Sequence, residues 1–230
     1  MIAFLTRLAR RWRMKTHKPF GTSATPGLRI TFGDTHFERA DALARAFAGV
    51  NEVEVVEGNL LDLDCEAIVS PANSFGDMGG GIDKAIDDFH EGKAQAAVVA
   101  AMAEHSFGEL PVGSALVVRL AARRWPFIVV APTMRIPGNV ASTINAYLAM
   151  RAALMAVLKY NATCDRPIRH LAVSSLCTGV GGMPHEFSAE QMRTAYDSVI
   201  GGKWKKVLHP ALAPYAFPGK RIAWTEVKRP

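Results

Sequence analysis

Two short stretches gather the residues able to bind an anion and to move a proton. The first runs Ser70-Pro71-Ala72-Asn73-Ser74-Phe75-Gly76-Asp77-Met78-Gly79-Gly80-Gly81-Ile82-Asp83, the second Cys177-Thr178-Gly179-Val180-Gly181-Gly182-Met183-Pro184. Consecutive glycines let backbone N–H groups approach a phosphate without interference from Cβ. An amide such as Asn73 both donates and accepts, and a carboxylate such as Asp83 positions a water or takes its proton. Asn73 and Asp83, ten residues apart, bring that chemistry to the first stretch. Each feature also has a plainer reading. A lone glycine triplet is more often a turn, Asn73 is a good turn former, and Asp83 suits the first turn of a helix. Neither stretch fits GxxxxGK[ST] or GxGxxG, so a Walker loop and the dinucleotide fingerprint are excluded there.

The elements that must hold these loops alternate between strand and helix. Residues 28–32 (LRITF) read as a strand, and FERADALARAFAG as an amphipathic helix with Phe37, Ala40, Leu43, Ala44 and Phe47 on its apolar face. VEVVEG and CEAIVSP are further strands, and residues 82–105 form alanine-rich helical segments. SALVVRL and PFIVVAP follow, the second an apolar run suited to a strand covered on both faces. Residues 140–160 make a long helix with Ile144, Leu148, Ala152, Leu154 and Leu158 as its stripe. IRHLAVSSL is the last strand, and a helix lies around Ser188–Val199. This order predicts an α/β fold: a mixed, largely parallel sheet with helices on both faces, three layers in all. Both glycine loops follow strands, and the carboxyl ends of strands are where such sheets bind ligands. The helix beginning near Ile82 adds a positive dipole end, worth only about 0.3–1 kcal/mol when exposed, so several donors must converge on a diphosphate.

Charge is unevenly placed. Of 27 basic residues, six (Arg7, Arg10, Arg11, Arg13, Lys15, Lys18) fall in the first twenty positions, leaving 21 against 21 acids. The body is near neutral, so no stable nucleic-acid binding is expected from it. Residues 1–26 read as a basic amphipathic segment and linker, with membrane contact, targeting, a start-site artefact ahead of Met14 or an idle tail as its readings. Residues 27–203 form the core, and 204–230, rich in proline, a C-terminal extension. Cys65, Cys164 and Cys177 are too scattered for a disulfide framework, and no Cys/His spacing suits zinc. A reducing, cytoplasmic setting with no metal and no resident cofactor is the expectation. Cys177 reads as a core residue rather than a nucleophile, Met102, Met150 and Met155 as helix core, and His185 as a surface residue. His90 and His105 fall near helix ends that suit partial positive charge.

The stretch EAIVSPANSFGDMGGGIDKAI resembles the macrodomain signature, in which a strand runs into an asparagine loop and then a glycine-rich helix start. GNLLDLDCEAIV is similar to that family's Gly-Asp-Ile strand end, PVGSALVV fits the intervening strand, and LAVSSLCTGVGGMP resembles its second phosphate loop. The resemblance spans about residues 28–200. It implies a macrodomain-like fold, ADP-ribose or an ADP-ribosylated macromolecule as partner, and hydrolysis of ADP-ribosyl adducts. By the same resemblance, Gly79, Gly80, Gly81, Ile82 and Asp83, with Thr178, Gly179, Val180, Gly181 and Gly182, would hold the diphosphate. Asn73, flanked by Ala72 and Ser74, would orient the distal ribose and form the catalytic pair with Asp83, at the spacing the family's active hydrolases show, and Asn59 with Leu60 would meet the adenine. Three positions depart from the family pattern: Ser70 replaces the first asparagine of the loop, Asn59 replaces an acid, and Gly181 stands where an aromatic residue often covers the diphosphate.

Three functions follow in order: an ADP-ribosyl hydrolase, a non-catalytic ADP-ribose reader, and a methyltransferase using a nucleotide cofactor. The third rests on Asp34 and Asn59 after successive strands and lacks the glycine-rich first turn such a cofactor requires.

Overall fold

The computed structural model describes residues 27–206. The readings for the basic segment 1–26 and for residues 207–230 lie outside the described residues. Six strands form one sheet: β1 (Arg29–Asp34), β2 (Val53–Glu57), β3 (Ala67–Ser70), β4 (Leu116–Arg119), β5 (Phe127–Val130) and β6 (His170–Val173). Their order is β2-β1-β6-β3-β5-β4, parallel throughout except for the antiparallel β4–β5 pair.

Side-chain alternation builds the three layers. From the sheet, Ile30, Phe32, Ala67, Val69, Phe127, Val129, Leu171 and Val173 face one way. They meet α1 (Phe37–Ala46), α4 (Asn145–Thr163) and α5 (His185–Val199). Ile68, Ile128, Val130 and Ala172 face the other way, against α2 (Gly81–Phe89) and α3 (Lys93–Ser106). β5 is buried along its whole length, as an apolar run between two helical layers must be. Each fully buried aliphatic chain contributes roughly 1.5–3 kcal/mol, so these two interfaces supply most of the driving force.

Several boundaries and faces differ from the sequence-based expectation. On α1, Phe37, the first residue of the helix, is 58% exposed, and Ala42 is buried. α4 begins at Asn145, which leaves Ile144 as an exposed cap; its buried stripe runs through Ala146, Ala149, Met150, Ala153, Leu154 and Val157. Alanine dominates there because α4 lies close against both the sheet and α5. Residues 82–105 divide into two helices where Glu91 and Gly92 take positive φ. α5 starts three residues before the expected Ser188. Met102 and Met150 are core residues, while Met155 is half-buried. Among the described residues no helix is long and apolar enough to cross a membrane.

Candidate functional site

β3 and β6 are hydrogen-bonded neighbours running in the same direction, with Ala67 opposite Leu171 and Ile68 opposite Ala172. The two glycine loops that follow them therefore leave the carboxyl edge of the sheet side by side, a strand spacing of about 4.8 Å apart at their roots. A third loop, between β5 and α4, ties them together. Asn73 bridges to Met134, and the Ser74 amide donates to the carbonyls of Met134 and Arg135. The Val140 amide donates to the Gly181 carbonyl at 2.8 Å, and the Thr133 hydroxyl to the Pro71 carbonyl at 2.9 Å. Sequence reasoning missed this third loop, although its Pro132, Pro137, Gly138 and Asn139 are turn-forming residues.

The first loop is closed by its own side chains. Asn73 Oδ1 accepts from the Phe75 and Asp77 amides, and its Nδ2 donates to the Asp77 carbonyl at 3.1 Å. Asp77 in turn accepts from the Gly79 amide, and Gln95 from the Met78 amide. The amides of Gly80, Gly81, Ile82 and Asp83, at the start of α2, donate to no protein acceptor among the described residues. A Cβ on Gly80 or Gly81 would meet open space, and Gly81 sits at φ +57, in the left-handed region that favours glycine. This is the arrangement of donors that an anion at a helix start requires.

The second loop wraps around one carbonyl. Cys177 takes φ +64, and the Met183 amide returns to its carbonyl at 3.0 Å, while the Gly182 amide closes on Gly179. A Cβ on Gly181 would lie 2.5 Å from that carbonyl oxygen and 2.8 Å from Val140 Cγ2. Glycine is thus demanded at 181 by packing, and a larger side chain is excluded by this loop conformation. Thr178, Gly179, Val180 and Gly181 likewise present amides without protein acceptors among the described residues. Val180 is 66% exposed at the loop tip. Behind the loop, Arg39 on α1 reaches the Thr178 carbonyl at 3.5 Å and Asp34 at 3.8 Å. Burial pushes the Cys177 thiol up to about 12, which makes it a packed core residue rather than a nucleophile.

Asp83 is the unusual titratable group. It is 9% exposed, and Ser70 at the end of β3 donates to its Oδ1 at 2.6 Å. Burial raises its pKa from 3.8 to about 7, against the lowering by the Ser70 hydroxyl and with a further push from the Asp77 charge. Ser70 therefore has a direct partner in Asp83, thirteen residues along the chain.

The remaining candidates are placed as follows. Ala72 and Ser74 are buried, and Ser74 spends its amide and carbonyl on neighbouring loops. Leu60 is buried against Gly33, whose Cβ would lie 2.8 Å from Leu60 Cδ1. Asn59 is exposed, and its Oδ1 caps the Leu61 amide at 3.1 Å. His90 ends α2 but is buried, and burial lowers its pKa, so it stands neutral rather than charged at that helix end. His185 is half-buried at the start of α5. Among the described residues no group of three or more His, Cys, Asp or Glu side chains is placed to hold a metal ion.

A model of the Macro domain family matches residues 69–192, more than half of the chain. The chain belongs to the Macro domain family. This match runs from within β3 into α5 and includes both glycine loops of the macrodomain. An uncharacterized protein of Aquifex aeolicus is 32% identical over 141 residues, 61% of this chain and 78% of its own length. Among solved structures, the macrodomain of Mycobacterium tuberculosis DarG superposes with a TM-score of 0.52 at 22% identity, covering 76% of this chain and 93% of its own. Thermosipho africanus DarTG in complex with ADP-ribose gives 0.51 at 16% identity, covering 72% and 50%. These likenesses establish the fold as a three-layer α/β/α macrodomain.

Proposed function

We propose that this macrodomain binds ADP-ribose through the two glycine loops and hydrolyses ADP-ribosyl adducts of macromolecules. The carrying observation is the pair of unpaired amide runs, Gly80–Asp83 and Thr178–Gly181, leaving adjacent parallel strands. The solved structure of Thermosipho africanus DarTG, similar in fold, is a complex with ADP-ribose. Eight amides around one edge of the sheet suit a diphosphate, and the α2 dipole adds to them. Hydrolysis then requires a water directed at the anomeric carbon of the distal ribose. Asp83, when ionised, takes the proton of that water as the bond to the adduct breaks, and the departing group gains a proton. Holding both reactants in a formed cleft supplies most of the acceleration.

One observation favours the reader function instead: Asn73 has both ends of its amide engaged inside its own loop. Incubation with a mono-ADP-ribosylated protein decides between the two. The hydrolase reading expects release of free ADP-ribose, lost in Asp83→Asn while ADP-ribose affinity is retained. Binding with no release by the wild-type chain would leave the reader.

A further inference from the structure

A cavity of about 490 Å³ opens at the amino-terminal ends of the parallel strands, the pole of the sheet opposite the glycine loops. Five of its lining residues are arginines from three separate elements. Arg29 opens β1, Arg123 and Arg124 lie between β4 and β5, and Arg166 and Arg169 lie between α4 and β6. Asp64 and Glu66 are its acids, so five guanidiniums against two carboxylates leave three net positive charges, with half-buried His170 beside them. Glu54 acts on His170 from β2, on the far side of β1. The near-neutral composition of the body thus conceals a strongly basic pole.

The acids and the chain path organise this pole. Glu66 Oε2 accepts from the Arg169 and His170 amides, which spends its charge on backbone donors and pins the α4–β6 loop. Arg124 is held by the Leu61 carbonyl and by the Phe89 ring 5.4 Å away. Trp125 takes φ +54, unfavourable for a bulky residue, and thereby turns its indole into the core while Arg123, Arg124 and Pro126 stay on the cavity wall. Arg123, Arg166 and Arg169 make no ion pair among the described residues. Burial pushes the thiol of Cys65, on the cavity wall, up to about 12, so the wall carries no reactive sulfur.

The geometry points to a second anion site here, built for a small phosphate-bearing ligand and separate from the glycine-loop cleft. All five cations are arginine, whose planar fork pairs two donors with a phosphate where lysine offers a point charge. The volume falls within the roughly 300–1,000 Å³ typical of small-ligand sites, and a concave wall is not needed to track a polymer backbone. This inference does not depend on what the glycine loops bind.

Calorimetry of the full chain with inorganic diphosphate tests it. Gly80→Glu removes the glycine-loop seat, and the arginine cavity should still bind diphosphate in that background. Adding Arg166→Ala and Arg169→Ala should weaken the remaining event by roughly tenfold or more, since each removes a charge-assisted pair. Arg→Lys at the same two positions should recover only part of the affinity, and both side chains are exposed, so folding is checked simply by thermal melting. Diphosphate binding abolished by Gly80→Glu alone, or unchanged by the arginine replacements, would overturn the site. So would binding of a short oligonucleotide with none of diphosphate.

Discussion

Replacing Asp83 by asparagine tests how the buried carboxyl is held. The isostere keeps an oxygen to accept the Ser70 hydroxyl and removes the charge. The pKa of the carboxyl is 3.8 ordinarily and about 7 in the fold, a rise of about three units. At 1.36 kcal/mol per unit, ionising Asp83 in place weakens the folded state by about 4 kcal/mol. The sign follows from the raised value. Stability is fully present below 3.8, where both states carry the proton, and is lost as pH rises toward 7, beyond which it falls no further. Water entering the cleft relaxes part of this, so the expected difference lies between about 2 and 4 kcal/mol. Urea unfolding of wild type and Asp83→Asn at about pH 4, 5, 6, 7 and 8 provides the assay, and the difference between the two chains cancels the titrating groups that do not interact with Asp83. The variant should gain on the wild type steadily through that window and then run parallel. Two curves that stay parallel from about pH 4 upward would refute the raised pKa and the burial that causes it.

Other perturbations follow from the same geometry. Ser70→Ala removes the hydroxyl that steadies the charged carboxylate, so the pH at which adduct hydrolysis reaches half its plateau should move upward; an unmoved or lowered midpoint would contradict the contact. Gly80→Glu should abolish ADP-ribose affinity in calorimetry while the fold melts normally, because a carboxylate then occupies the anion seat among the α2 amides. Gly181→Ala should lower stability by about 1–3 kcal/mol, since its Cβ meets the Cys177 carbonyl and Val140 together. Asn73→Ala should destabilise by about 1–3 kcal/mol and expose the first loop to proteolysis, through loss of its three loop hydrogen bonds.

Much of this architecture is legible in the chain. β5 reads as a strand covered on both faces because Phe127–Val130 has no polar interruption, and the alternation of strands with helices dictates a sheet between helical layers. Both glycine loops are visible as well, because each run of glycines directly follows an apolar strand. What escapes is what depends on small residues and on distance. The packed faces of α1 and α4 are carried by alanines, whose weak apolar signal yields to Phe37 and Ile144, and those larger residues turn out to face solvent. The Ser70–Asp83 contact joins the end of β3 to the first turn of α2, and no local pattern reveals it. The demand for glycine at 181 arises from the Cys177 carbonyl together with Val140, forty-one positions earlier in the chain, a contact that no local pattern shows. Likewise, subtracting the N-terminal arginines gives a neutral body, yet folding sorts its remaining charges and leaves one pole basic.

Amide chemical shifts recorded while ADP-ribose is added give the most direct trial of the two-loop cleft. Binding should be saturable and one-to-one, with the largest shifts at Gly80, Gly81, Ile82 and Asp83 and at Thr178, Gly179, Val180 and Gly181. Absence of binding, or shifts confined to one of the two loops, would contradict that cleft.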